Sequence, residues 1–309
     1  MMLAASGGSL VGTEQTVYSG SDFNAGGSSP VNRVKDGHLQ HNLSTRDCWD
    51  GYAHHRSIVT EMLMRASTAD DGSLCVLGAG NCNDLDFQQL QRTFSAIHLV
   101  DLDDDALSDG VNRQLPLERS KFQQHGHCDL TGVIHLLADW SASRQPTAEE
   151  LDACLQELGQ IPQLGLPNAC DVVASVCVLT QLFDSVVGTL GETHPRFVEF
   201  VTAMRTQHVR LMLKLLRPGG VGVLITDVVA STTLPQLLTM PDSDLPQTIA
   251  RAINERNFFT GTNPAILQSL FHTQPEIAPQ VSHVRLSTPW RWQLLNKVHA
   301  VYAIEVTRE

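Results

Sequence analysis

An alternation that begins at Leu74 constrains this chain more than any other feature. Short apolar runs suited to buried strands occur at Leu74–Leu77, Ala96–Asp101, Lys121–His127, Asp171–Val178 and Val221–Asp227. Stretches of helical periodicity separate them, over Asp84–Phe94, Asp104–Gln114, Thr147–Leu158 and Thr193–Leu216. Strands and helices in strict alternation imply right-handed crossovers, hence a mostly parallel sheet covered on both faces. The expected architecture is an α/β three-layer sandwich. Thr147-Ala-Glu-Glu150 reads as a capping box, and Arg217-Pro218-Gly219-Gly220 as the stop of a long helix. Beyond a loop over 229–245 the pattern changes: helices near Pro246–Glu255 and Asn263–Phe271, then alternating strands at Val281–Ser287 and His299–Thr307. Pro289-Trp-Arg-Trp292 separates those strands, which read as an antiparallel pair at the sheet's end.

Residues 1–43 are rich in Gly, Ser, Asn and Asp without periodicity and read as a flexible tail. Order is expected from Ser44-Thr-Arg-Asp47, a capping-box-like start for a helix to Ala66. The remainder, 44–309, reads as one domain: a lid helix (44–70), a cofactor-binding core (71–228) and a lid loop with helices and terminal strands (229–309). On the lid helix Trp49, Tyr52 and Arg56 share a face, so Arg56 could clamp a carboxylate or simply snorkel from an apolar surface.

A net charge of −12 over 309 residues disfavours nucleic-acid backbones and anionic membranes as partners. No apolar run is long enough for a bilayer. The seven cysteines form no CxxC pair and fall largely in strand-like runs, which points to reduced thiols in a cytoplasmic protein.

The chemistry concentrates at Cys75-Val-Leu-Gly-Ala-Gly-Asn-Cys-Asn-Asp84. Gly78 and Gly80 stand at a strand's carboxyl end, where open α/β sheets bind ligands. Asp101 ends the next strand roughly 20 residues on, where a carboxylate can accept ribose hydroxyls. Two cofactors compete for such a turn. NAD would set a pyrophosphate on the following helix, but Asp84 and Asp86 there would repel it. S-adenosylmethionine carries a sulfonium and an ammonium, so the same aspartates favour it.

Several segments in order carry a family resemblance: "LGAGNCND", "HLVDLD", "HGHCDL", "CDVVASVCVLTQL" and "LKLLRPGGVGVLITD". With them the chain resembles the class I, Rossmann-like S-adenosylmethionine-dependent methyltransferases from about Leu74 onward. The resemblance implies that Gly78, Ala79 and Gly80 line the methionine part of the cofactor, Asp101 holds the ribose and Leu102 lies by the adenine. It implies further that Asp129, with Leu130, meets the adenine amino group, and that Ser175 and Val176 line the opposite side. Two departures stand out. The family's acid before the first glycine is Val76 here and its third glycine is Cys82, leaving Asp84 as a candidate to hold the ammonium group.

Candidates for a general base are His55, His194 and Asp227, each near a strand's carboxyl end. Methyl transfer can also proceed by alignment of donor and acceptor alone. Trp290 and Trp292 could wall an acceptor or pack in a hairpin. His54-His55 and His125-Gly-His127-Cys128 lack a companion cluster at ligand spacing, so no metal site is expected. The expected activity is methyl transfer to an oxygen, nitrogen or carbon of a small molecule, by a monomer or homodimer. The alternatives are an NAD-dependent oxidoreductase and a non-catalytic binding protein. Aminopropyl transfer is disfavoured because acidic polyamine motifs are absent.

Overall fold

The computed structural model describes residues 33–69, 71–141 and 144–309. Its strands join one sheet: β1 (Gly72–Leu77), β2 (Phe94–Val100), β3 (Phe122–His125), β4 (Cys170–Val176), β5 (Leu216–Ala230), β6 (Val281–Leu286), β7 (Trp290–Leu294) and β8 (Lys297–Arg308). The order is β3-β2-β1-β4-β5-β8-β6, with β7 also paired to β8. β1 to β5 pair in parallel, whereas β8 runs antiparallel to β5, β6 and β7. The expected α/β sandwich with antiparallel C-terminal strands is therefore the observed one. Its strand order reverses between β1 and β4, which opens a crevice at their carboxyl ends.

The helices are α1 (Arg33–Thr45), α2 (Ala53–Ala66), α3 (Phe87–Thr93), α4 (Asp104–Arg113), α5 (Ile134–Leu137), α6 (Ala148–Leu158), α7 (Leu179–Leu190), α8 (Phe197–Leu215), α9 (Leu245–Asn254) and α10 (Pro264–Thr273). Two cores form, one per sheet face. Val59, Leu63, Leu90 and Leu107 bring α2, α3 and α4 against Val76, Val172 and Val223. On the other face Leu158, Phe183, Phe200 and Leu267 pack with Cys75, Val173 and Leu224. A strand covered on both faces reads as a continuous apolar run, which is why Leu74 to Leu77 are all fully buried.

Side-chain alternation decides what each face receives. On β8 Val301 and Ala303 face the α2 side, while Ala300, Tyr302 and Ile304 face the α8 side. Odd positions of β5, Val223 and Ile225, likewise face α2. Asp227 and His299 therefore belong to the α2 face. Val228 is an extra residue in the β5–β8 ladder, with Asp227 opposite Val301 and Val229 opposite Ala300. This bulge lets Val228 and Val229 both join the α8-side core while Asp227 stays on the other face.

The structure departs from the sequence reading in several places. Residues 1–32 of the expected tail lie outside the described residues, but 33–43 belong to α1, which buries Val34, Asn42 and Thr45. Ser44 ends that helix instead of capping the next; its hydroxyl donates back to His41 O at 2.8 Å. A 3-10 turn at Asp50–Tyr52 leads into α2 without a side-chain cap. α3 starts at Phe87 with Asp86 as its N-cap, so Asp84 lies in the preceding turn and not on the helix. α7 went unrecognised, and the helix read from Thr193 starts at Phe197. The Arg217–Gly220 stop is built into β5. Trp290–Leu294 is a strand rather than a separator, because Trp290, Trp292 and Leu294 all bury on one face. The Thr147–Glu150 capping box is present as read.

Candidate active site

The crevice between β1 and β4 is lined by the glycine turn and by side chains from six other segments. Gly78, Ala79, Gly80, Asp84, Asp101, Val176 and Tyr52 meet there, as expected for a shared site. His41, Asn42, Thr45, Asn81, Asn83, Cys177, Gln181 and Trp292 complete the wall, and the sequence reading assigned none of these eight to cofactor binding. Among the described residues, no lysine or arginine lines it.

Gly78 and Gly80 adopt left-handed backbone, with φ of 71° and 47°. A Cβ on Gly78 would come within 2.4 Å of Val178, and one on Gly80 within 2.8 Å of Asn42 Oδ1. The turn therefore demands glycine twice, for conformation and for close approach. Cys82, at the place of a third glycine, is itself left-handed with φ of 54°. The close approach expected of that third glycine is supplied from α4: a Cβ on Gly110 would sit 2.5 Å from Asn81 O.

Asp101 anchors the turn. Its Oδ2 accepts from the Gly80 N–H at 2.8 Å, and its Oδ1 accepts from the Asp103 N–H at 2.9 Å. Burial raises its pKa, and those backbone donors, together with Asn42, partly offset the rise. Asn42 Nδ2 reaches Asp101 Oδ1 at 3.4 Å and Asp103 Oδ2 at 3.2 Å. α1 thus closes the crevice from above.

The asparagines of "GAGNCND" hold this cover. A helix ends with carbonyls that lack intrahelical partners. Asn81 Nδ2 donates to Asn42 O and to Thr45 Oγ1 (3.1 Å), and Asn83 Nδ2 donates to Thr45 O (2.8 Å). Arg113 adds a bond to Asn83 Oδ1 at 2.7 Å and another to Arg46 O at 2.6 Å. The crevice as it stands holds about 30 Å³, room for little more than water.

Toward β7 the wall becomes aromatic. The Trp290 indole donates to His55 Nδ1 at 3.0 Å. Indole only donates, so Nδ1 is the acceptor and Nε2 carries the proton. His55 Nε2 lies 3.1 Å from Asp84 Oδ1, an ion-pair distance outside hydrogen-bond geometry. The His55 ring also stacks on Trp292, centroids 4.6 Å apart. With its acceptor nitrogen taken by the Trp290 indole, His55 is ill placed to be a base.

Other expected residues lie elsewhere. Ser175 faces α8 by strand alternation and its hydroxyl meets His208 Nε2 at 2.7 Å, so Val176 and Cys177 take the lining role instead. Asp129 accepts from the Thr131 and Ile134 N–H groups at 2.8 and 2.9 Å, thereby shaping the approach to α5. Neither Asp129, Leu130 nor Leu102 lines the closed crevice. Arg56 packs 3.5 Å over the Trp49 ring and donates to Trp49 O and Asn83 O, at 2.9 and 3.0 Å. It ties loop to loop, with Tyr52 alone of that trio reaching the crevice. His194 sits in the turn before α8, its Nδ1 accepting from the Arg196 N–H at 3.2 Å.

No family model and no curated protein matches the chain. Among solved structures, an N-methyltransferase NodS from Bradyrhizobium japonicum WM9 in complex with S-adenosyl-L-homocysteine is similar at 11% identity. That match covers 91% of this chain and 99% of that one, with a TM-score of 0.46. Magnesium protoporphyrin IX methyltransferase from Synechocystis PCC 6803 gives 11% identity, 92% and 90% coverage and a TM-score of 0.41. An rRNA methylase from Streptococcus thermophilus gives 10%, 81% and 94%, and 0.35. At such values the chemistry has to be argued from the residues.

Proposed function

We propose that this chain binds S-adenosylmethionine in the β1–β4 crevice and transfers its methyl group to a small molecule. The carrying observation is the electrostatics of the wall: Asp84 and Asp101 flank the glycine turn, and among the described residues no lysine or arginine lines the crevice. A dinucleotide's pyrophosphate would find no cationic side chain there, whereas a sulfonium and an ammonium find carboxylates. Asp101 would hold the ribose hydroxyls once Asn42 withdraws. Asp84, which lies beside His55, would hold the ammonium, and the Gly78–Gly80 turn leaves room for the methionine chain. The bound cofactor supplies a methyl group on a good leaving group. The protein's task is to align an acceptor beside Val176 and Cys177 and to exclude water.

The acidic net charge supports a small-molecule acceptor over a nucleic acid. Among the described residues no helix is long and apolar enough to cross a membrane, and all seven cysteines are free. The free thiols support a cytoplasmic setting. A non-catalytic reading draws on one observation, the occupation of Asp101 by Asn42. Calorimetry separates these possibilities. S-adenosylhomocysteine is expected to bind and NAD not to; the reverse would overturn the proposal. Binding without methyl transfer to any acceptor would favour the non-catalytic reading.

A further inference from the structure

Beyond the crevice, on the same sheet face, lies a buried polar group that cofactor binding does not use. His299 Nδ1 meets Asp227 Oδ2 at 2.8 Å, and Thr180 Oγ1 donates to Asp227 Oδ1 at 2.9 Å. An ionised carboxylate only accepts, so Nδ1 carries a proton, and in the neutral ring Nε2 is then left with a lone pair. That Nε2 is buried with no hydrogen-bond partner among the described residues. Directly opposite His299 in the β7–β8 ladder stands Trp292, which lines the crevice. Its indole N–H is likewise buried and unpartnered among the described residues. The Trp292 ring lies 5.5 Å from the His299 ring, and Phe259 flanks the latter at 6.1 Å.

Resting on the methyl-transfer reading, we infer that His299 is the general base of this site and that the acceptor atom is a hydroxyl oxygen on a planar ring. A lone pair beside an N–H donor matches a group that has one proton to give and a lone pair to receive. A hydroxyl satisfies both. A neutral amine carries a lone pair too but attacks through it without needing a base, and a carbon acceptor offers no lone pair to the indole. The aromatic walls, Trp292 and Phe259 with Tyr52 beyond, suit a flat phenolic acceptor.

The step balances. The acceptor O–H bond breaks and its proton passes to His299 Nε2. The oxygen forms the new O–CH₃ bond as the C–S bond breaks, its electron pair returning to a neutral thioether sulfur. The imidazolium is stabilised by Asp227, a positioning residue held in turn by Thr180. The Trp292 N–H holds the oxygen while it carries developing negative charge.

Three measurements test this. ¹⁵N NMR of the unmodified protein should find His299 as the Nδ1–H tautomer, and Asp227→Asn should disturb that preference; an Nε2–H tautomer in the unmodified protein overturns the assignment. With S-adenosylhomocysteine bound, the probe 4-nitrophenol should bind, and His299→Gln or Trp292→Phe should weaken it about tenfold. In His299→Gln, which does not line the crevice, S-adenosylhomocysteine affinity should change less than about twofold. Methylation of phenols should fall by about 10² or more in His299→Gln. S-adenosylhomocysteine binding with no phenol binding or methylation overturns this inference alone, whereas absent S-adenosylhomocysteine binding overturns the methyl-transfer reading itself. Should His299→Gln fail to fold, Trp292→Phe and the tautomer still decide.

Discussion

Asp101 and Asp86 stand in the same sequence neighbourhood but act at different points. Asp101 is half-buried just past the end of β2 with its carboxylate turned onto the glycine turn, while Asp86 caps α3 through the Gln89 N–H at 3.1 Å. Asp101→Ala should weaken S-adenosylhomocysteine binding by about 10- to 100-fold, the worth of charge-assisted hydrogen bonds to a ribose. Asp86→Ala should cost about 1 kcal/mol of stability and leave affinity alone, as a lost cap does. Calorimetry beside urea denaturation checks the pair. Both residues were legible in the sequence because strand ends and caps are local signals. Ser175 was not, since a one-residue shift along a strand exchanges the two faces and the motif alone did not say which way β4 faced. His299 was invisible for a similar reason: nothing local pairs it with Asp227 across the β5–β8 ladder.

At the level of elements, α1 is the largest departure from the sequence reading. Its composition, RVKDGHLQHNLST, lacks an apolar stripe, so periodicity had nothing to find. The helix is held by polar anchors at its end, and those anchors are Asn81 and Asn83, which flank the cysteine that stands where a third glycine was expected. Asn83→Ala removes the donor to Thr45 O and the acceptor for Arg113. The expected result is a loss of about 1–3 kcal/mol, the usual penalty of orphaned buried polar groups. Amide hydrogen exchange should also quicken across 38–45 while β1 and β4 keep their protection. Strands β1, β2 and β4, by contrast, were legible almost to their ends, because burial on both faces leaves continuous apolar runs.

For the molecule as a whole, acid should be a specific threat. His208 is fully buried beside Ser175, and burial lowers its pKa to about 4 from an ordinary 6.5. Between those values the unfolded chain takes up a proton that the folded chain refuses. Stability should thus fall as pH drops from 6.5 to 4, by on the order of 3 kcal/mol, and this contribution should level off below. Urea midpoints measured across that range in the wild type and in His208→Gln should show the dependence reduced in the variant.

Assembly order follows from where β8 sits. It lies between β5 and β6, also borders β7, and comes later in the chain than all three partners. Val221 must wait for Thr307 and Trp292 for His299. During synthesis the parallel strands can gather first, with the β5 edge open until the final strand emerges from the ribosome and slots between its neighbours. The histidine that faces Asp227 arrives with that strand, so the nascent chain would acquire its chemistry only in the act of closing its sheet.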